Sequence, residues 1–292
     1  MATLTNKIDF AIIFNVKNAN PNGDPLNGNR PRTDYDGFGE VTDVCLKRKL
    51  RDRLQSVGQA IFVQSDEKKT DGMMSLKARA ESVLGKGALN SKNAKPEDAA
   101  KQACNTWFDV RAFGQLFAFK GDAKTKKKNS EERKEDESAN GISIAIRGPV
   151  TIQSAFSVEP ISITSTQITK SVSGEGDGSK KGSDTMGMKH RVDKAFYVAF
   201  GAMTPQLADR TGFSDKDALT IKEILPKLFE GDASSARPEG SMAVSKVIWW
   251  KHNSKPGQYS SAKVHNSLTV NPDGSYMLKE LKGLVAEEID GF

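Results

Sequence analysis

Between Asn15 and Arg53 the chain reads NVKNANPNGDPLNGNRPRTDYDGFGEVTDVCLKRKLRDR. Five cations, Lys47, Arg48, Lys49, Arg51 and Arg53, fall within seven positions near its end. Arg30 and Arg32 precede them in a segment where 12 of the 22 residues from Asn18 to Gly39 are Asn, Gly or Pro. Ammonium and guanidinium groups neutralise phosphates, and a loop rich in free backbone N–H groups adds neutral donors, so this pairing suits a phosphate chain. The alternative is a solvated helix surface whose charge only Asp43 and Asp52 offset. Asp24 and Asp34 in the loop fit metal-assisted or acid–base phosphodiester cleavage. They fit better as Asx-turn residues that satisfy their own loop.

Other chemistry-bearing patterns are weaker. The opening Asn18-x-Asn20-x-Asn22-Gly23 has the rhythm of a calcium loop, but its carboxylates are missing and position twelve is Asn29. The cluster Gly174 to Gly178 matches neither a dinucleotide fingerprint nor a P-loop and reads as a flexible tip, with Lys180 and Lys181 beside it. Three scattered histidines, His190, His252 and His265, make no zinc site, so no metal or cofactor is expected. Met186-Gly-Met-Lys-His-Arg191 combines apolar wedges with cations, a set that presses on bases while neutralising phosphates or simply packs a strand. The aromatics of Lys194 to Phe200 approach the base-stacking motif of RNA-binding sheets without its spacing, and read as core. No Ser–His–Asp order and no HExxH appears, so nothing states a catalytic site.

These residues need elements to hold them. Ile8, Phe10, Ile12, Phe14 and Val16 alternate as a strand over 7–16. The Asn/Gly/Pro loop cannot be helix or interior strand. Thr42 or Asp43 caps a helix to about Val57, with Leu46, Leu50, Leu54 and Val57 on one face. Residues 58–140 read as an insertion with helical pieces near 73–84 and 96–119, ending in a mixed-charge run over 124–141 that cannot order itself. A strand over 142–150 continues with bends to 163, and 162–190 is a protruding hairpin. A third strand spans 192–201. Ser214 caps a helix over 215–229, a fourth strand covers 243–251, and a short helix is expected near 278–289. Without its insertions the order is β-α-β-β-α-β, an α+β, ferredoxin-like or RRM-like arrangement.

With 292 residues, mean hydropathy −0.53 and net charge +6, the chain affords one large core with exposed insertions and favours polyanion partners. No apolar run reaches membrane-spanning length and no secretory signal is visible, so no membrane partner is expected. Cys45 and Cys104 make no disulfide scaffold, which fits a reducing cytosol.

Several segments together resemble one family: NPNGDP and NRPR in the loop, GEVTD opening LKRKLRD, WFDVRAFG (107–114), IAIRGPV (144–150), SITSTQITK (162–170) and SDTMGMKHR (183–191). In this order they are similar to the backbone subunit of type I CRISPR Cascade complexes, nearest to type I-C, within the RAMP superfamily. The resemblance implies a single RRM-like palm over 1–292, fingers within 58–140 and a thumb over 162–190. It implies a cytoplasmic, prokaryotic, non-catalytic protein that binds guide RNA (crRNA). Copies would assemble in a helical filament with small, large and crRNA-end-capping subunits, and the guide would meet target DNA. The RNA contacts it implies are Asn20, Asn22, Arg30, Arg32, Lys47, Lys49, Arg51, Thr166, Lys170, Met186, Lys189, His190 and Arg191. The competing readings are a metal-dependent ribonuclease of the related type III backbone kind, using Asp24 or Asp34, and a general nucleic-acid-binding or structural protein without a guide.

Overall fold

The computed structural model describes residues 2–85, 95–118, 143–171 and 186–292. The mixed-charge run, the Gly174–Gly178 tip, Lys180 and Lys181 lie outside them. At the centre is β1 (Ile8–Ala19), buried on both faces. Phe10, Ile12, Phe14 and Val16 face one core, while Ala11 and Ile13 face another. Among the described residues β1 sits in an eight-stranded sheet. Its main path is β14 (Ala286–Asp290), β11 (Met242–Lys251), β1, β10 (Met186–Met203), β8 (Ala155–Pro160) and β4 (Phe38–Val41). Two further strands, β7 (Val150–Ile152) and β9 (Ile163–Thr169), also pair with β10, and every pairing is antiparallel. With α1 (Asp43–Ser56) after β1 and α6 (Asp215–Ile224) after β10, this is the expected β-α-β-β-α-β arrangement.

Local chemistry explains where the elements begin and end. Thr42 Oγ1 accepts from the Cys45 N–H, and Asn22 Oδ1 accepts from both the Thr42 N–H (3.0 Å) and its hydroxyl (2.9 Å). The loop therefore sets the helix start. Leu46, Leu50 and Leu54 enter the core as expected, but Val57 caps the helix and is exposed. Ser214 and Asp217 form a capping box on α6. That helix stops at Ile224 rather than reaching 229, because Pro226 gives way to a 3₁₀ turn.

Other expectations are corrected. Residues 142–163 are not one bent strand: β7 and β8 join the main sheet, while β6 (Ser143–Arg147) pairs with β5 (Gly114–Ala118). The stretch 278–289 is not helical. It holds the end of β13 (Tyr276–Leu278), which pairs with β12 (Leu268–Val270), and most of β14; Val285, just before β14, is exposed, and no 3.6-residue apolar stripe is sustained. The loop's end, Phe38–Val41, is an edge strand on β8.

Ala80, Ala103, Val110 and Ile144 gather in a second core around Phe62, Trp107 and Phe117, whose rings lie 4.8–6.5 Å apart. The short helix α4 (Phe108–Phe113) joins the two cores. It sends Phe108 and Ala112 into the main core and Val110 into the second. These two inward residues are four apart, one face of a helix.

The other sheet face is covered by residues 259–286, with α7 (Ser261–His265) lying over β1. Phe200 stacks on His265 at 4.8 Å, and Phe196 packs so closely on Gly274 that a Cβ there would sit 2.4 Å from the ring. Beneath this cover His252 Nε2 donates to Asp9 at 2.8 Å while its Nδ1 accepts from the Gln258 N–H. Lys7 reaches the same carboxylate at 3.0 Å, and His265 Nε2 lies 3.4 Å from its other oxygen. Burial pushes the Asp9 carboxyl up, but these donors outweigh it and hold it well below the usual range. Two histidines that look scattered in sequence thus meet on one acid and tie the cover to the sheet.

The cations of α1 are mostly tied inward. Lys47 pairs with Asp43 at 2.9 Å, Arg48 with Asp52 and Asp232, and Arg51 with Asp109 at 2.9 Å. Arg53 donates to the Glu230 carbonyl. Lys49 is fully buried, paired with Asp232 and lying over the Phe229 ring. Burial lowers its pKa, and Asp232 works against that shift. Arg237 completes the group on Asp232 at 3.1 Å. Asp109 and Asp232 therefore join Asp43 and Asp52 as partners of these cations, with Lys68 and Arg237 sharing Asp52 and Asp232.

Two outcomes follow from this packing. Gly201 stands opposite Phe10, and a Cβ there would lie 2.2 Å from its ring. Gly201→Ala should lower stability by about 1–3 kcal/mol in urea unfolding; an unchanged midpoint would show that the ring moves freely. Asp232→Ala strands the Lys49 ammonium and should cost about 3–5 kcal/mol. Adding Lys49→Met should recover most of that loss, and a double variant no more stable than the single one would contradict the pairing.

Candidate nucleic-acid interface

β10 leaves the core along its own length. From Ala195 to Met203 buried and part-buried residues alternate, while Met186–Lys189, Arg191 and Lys194 are exposed and His190 is part-buried. The exposed arm pairs with β9, with Lys189 opposite Thr166 and His190 opposite Ser165. Ser165 Oγ and His190 Nδ1 lie 2.8 Å apart, which orients the ring. Met186 and Met188 are 61% and 55% exposed, so they are not packed core in this chain. Arg191 lies 3.8 Å from Asp193, a loose surface pair, and Lys170 is exposed at the end of β9.

The first loop folds back beside this arm. Two short strands, β2 (Gly23–Asp24) and β3 (Arg30–Pro31), pair, and β3 packs against β10. Asn18 and Asn29 take positive φ (53° and 59°), the left-handed region Asn tolerates. Asp24 accepts from the Leu26 N–H and pairs with Arg32 at 3.3 Å. Asp34 accepts from the Asp36 and Phe38 N–H groups at 3.0 and 2.9 Å. Both aspartates sit in the turn-forming role. Arg30 is part-buried and forms no ion pair among the described residues.

Loop and arm enclose a cleft of about 220 Å³. Asn20 and Asn29 come from the loop; Ile168, Met188, Lys189 and His190 come from the hairpin. The third wall is Ser235 and Ala236, from the segment that Asp232 and Arg237 anchor. The Asn20 N–H donates to the Ala236 carbonyl at 2.9 Å, and its Nδ2 donates to the Asn29 carbonyl at 2.7 Å.

The cleft unites Asn20, Lys189 and His190 from the expected set. Thr166, Lys170, Met186 and Arg191 are on the same hairpin without lining it, and Arg30 and Arg32 are on the adjoining loop. Asn22, Lys47, Lys49 and Arg51 are elsewhere: Asn22 holds the helix cap, and Lys49 presents no charge at the surface. Ser235 and Ala236 carried no sequence signal, being small residues about 200 positions from the loop. Among the described residues no group of three or more His, Cys, Asp or Glu is arranged to hold a metal ion, and no helix is long and apolar enough to cross a membrane.

What the cleft presents is two exposed apolar side chains, one lysine, one oriented histidine and amide groups. That set can grip a sugar–phosphate unit and lean on a base. Comparison with known proteins adds the lineage. The family model described as CRISPR-associated protein Cas7 matches residues 6–285. CRISPR-associated protein Cas7 of Haloferax volcanii is 26% identical over 289 residues, which is 98% of this chain and 81% of that protein. A CRISPR RNA-guided surveillance complex described as pre-nicking contains a chain 14% identical, with TM-score 0.45, over 84% of this chain and 78% of that one. A second CRISPR RNA-guided surveillance complex gives 15%, 0.44, 92% and 77%. The match to the family model spans nearly the whole sequence, and the chain belongs to the Cas7 family of CRISPR-associated proteins.

Proposed function

We propose that this chain is a non-catalytic, crRNA-binding backbone subunit of a type I-C CRISPR Cascade surveillance complex. Copies assemble along one guide RNA with small, large and end-capping subunits in the prokaryotic cytoplasm, and present the guide to target DNA. The palm is the β-α-β-β-α-β core, the fingers lie within 58–140 and the thumb is the hairpin over 162–190. The observation that carries the reading is the cleft between the first loop and the hairpin root. Family membership supplies the setting.

A repeating subunit must hold RNA of any sequence, so it grips sugar and phosphate rather than base edges. Lys189, Arg191 and Lys170 on the hairpin and Arg30 on the loop supply charge. Asn20, Thr166 and His190 supply polar contacts, and Met186 leans on a base. Arg32 acts beside Asp24, while Lys47 and Arg51 add charge from α1, where Asp43 and Asp109 hold them. Lys49 and Asn22 contribute by holding the walls in place.

Binding should depend steeply on salt. Replacing Arg30, Lys189 and Arg191 by Ala should weaken RNA binding and flatten the slope of log affinity against log salt by about one per lost phosphate contact. An unchanged slope would move the site elsewhere. The ribonuclease reading is tested separately, by incubating the protein with labelled RNA and Mg²⁺ or Mn²⁺. No specific cutting is expected; cutting that vanishes in Asp24→Ala or Asp34→Ala would overturn the non-catalytic reading.

A further inference from the structure

Asn20 is 3% exposed, yet it lines the cleft. Its amide orientation is set by the bond from Nδ2 to the Asn29 carbonyl, since a flipped amide would oppose two oxygens. Its Oδ1 then accepts no hydrogen bond among the described residues and is itself closed to solvent, so a donor in the cleft reaches it only as the side chains over it yield. A buried acceptor without a donor is unfavourable, and a ligand that brings a donor relieves that condition.

The missing partner has to be a donor. A phosphate diester carries none, so this oxygen is not a phosphate contact. In a nucleotide the donors are the ribose 2′-hydroxyl and the N–H groups of the bases. Base donors differ in kind and position from one base to the next, whereas every ribonucleotide carries the 2′-hydroxyl. Around Asn20 the cleft offers Lys189 for the adjoining phosphate and Met188 and Ile168 as apolar flanks.

We infer that Asn20 Oδ1 is the acceptor for a ribose 2′-hydroxyl, so that the cleft selects RNA over DNA without reading sequence. The inference rests on the RNA-binding reading above and adds the group that is recognised. Asn29, through its carbonyl, and Ala236, through the Asn20 N–H, are positioning residues.

The test uses the full chain and single-stranded oligouridine and oligoadenosine, each as all-ribose and as 2′-fluoro polymers. Fluorine keeps an RNA-like sugar shape but removes the donor. The wild type should bind each all-ribose oligomer about ten-fold tighter than its 2′-fluoro counterpart, roughly the effect of one buried hydrogen bond per site. Asn20→Ala should bring the two to within about two-fold while retaining salt-dependent binding. Equal wild-type affinity for ribose and 2′-fluoro oligomers, with RNA binding intact, would overturn the inference and leave the proposed function standing. A preference that follows the base and ignores the sugar would overturn it in the same way. Failure to bind any of the four would overturn both. The wild-type comparison stands alone if Asn20→Ala does not fold.

Discussion

Asp232 is the acid on which the arrangement turns. Arg48, Lys49 and Arg237 converge on it, and Lys49 has left water entirely. An ammonium taken out of solvent is tolerable only beside an opposite charge with good geometry. That requirement fixes α1 against the segment that follows Phe229. Ser235 and Ala236 belong to that segment, and through Ala236 it hydrogen-bonds to Asn20. The cations of α1 therefore act on the cleft at one remove, by holding its third wall.

Around this anchor the fold divides its labour. The strand β1, buried on both faces, separates a core packed with α1 and α6 from one closed by the C-terminal segment. Closing that second face removes the aromatic sheet surface from contact with bases, because Phe196 and Phe200 lie against Gly274 and His265. The open surface is at the edges of the palm, where β10 runs past Val192 into the exposed hairpin and the first loop folds beside it. A loop and a hairpin root on a rigid sheet suit a protein that must hold a flexible polymer in register.

Local pattern made the palm legible. Alternation in Ile8–Val16, the four-residue spacing of Leu46, Leu50 and Leu54, and the Ser214 cap each report an element from neighbouring residues alone. Partners distant in sequence were not legible. Lys49 meets Asp232 across 183 positions and Arg51 meets Asp109 across 58, so five clustered cations read as surface charge when much of it is neutralised inside. The same limit hid Ser235 and Ala236, and it hid the meeting of His252 and His265 on Asp9. The C-terminal strands were missed for another reason: segments of three to five residues carry little period of their own, whether they pair locally, as β13 does with β12, or with a distant strand, as β14 does with β11. Among the residues that line the cleft, Lys189 and His190 stood out in the sequence because the chemistry of Met-Gly-Met-Lys-His-Arg is concentrated in six consecutive positions.

The most direct measurement is ultraviolet crosslinking of the full-length protein to uniformly labelled single-stranded RNA, with the modified peptides mapped by mass spectrometry. The account predicts adducts in two peptides, one from the first loop around Asn20–Arg32 and one from the hairpin around Met186–Arg191. Adducts confined to α6 or to the C-terminal cover over 259–286, with none at the loop or the hairpin, would contradict it.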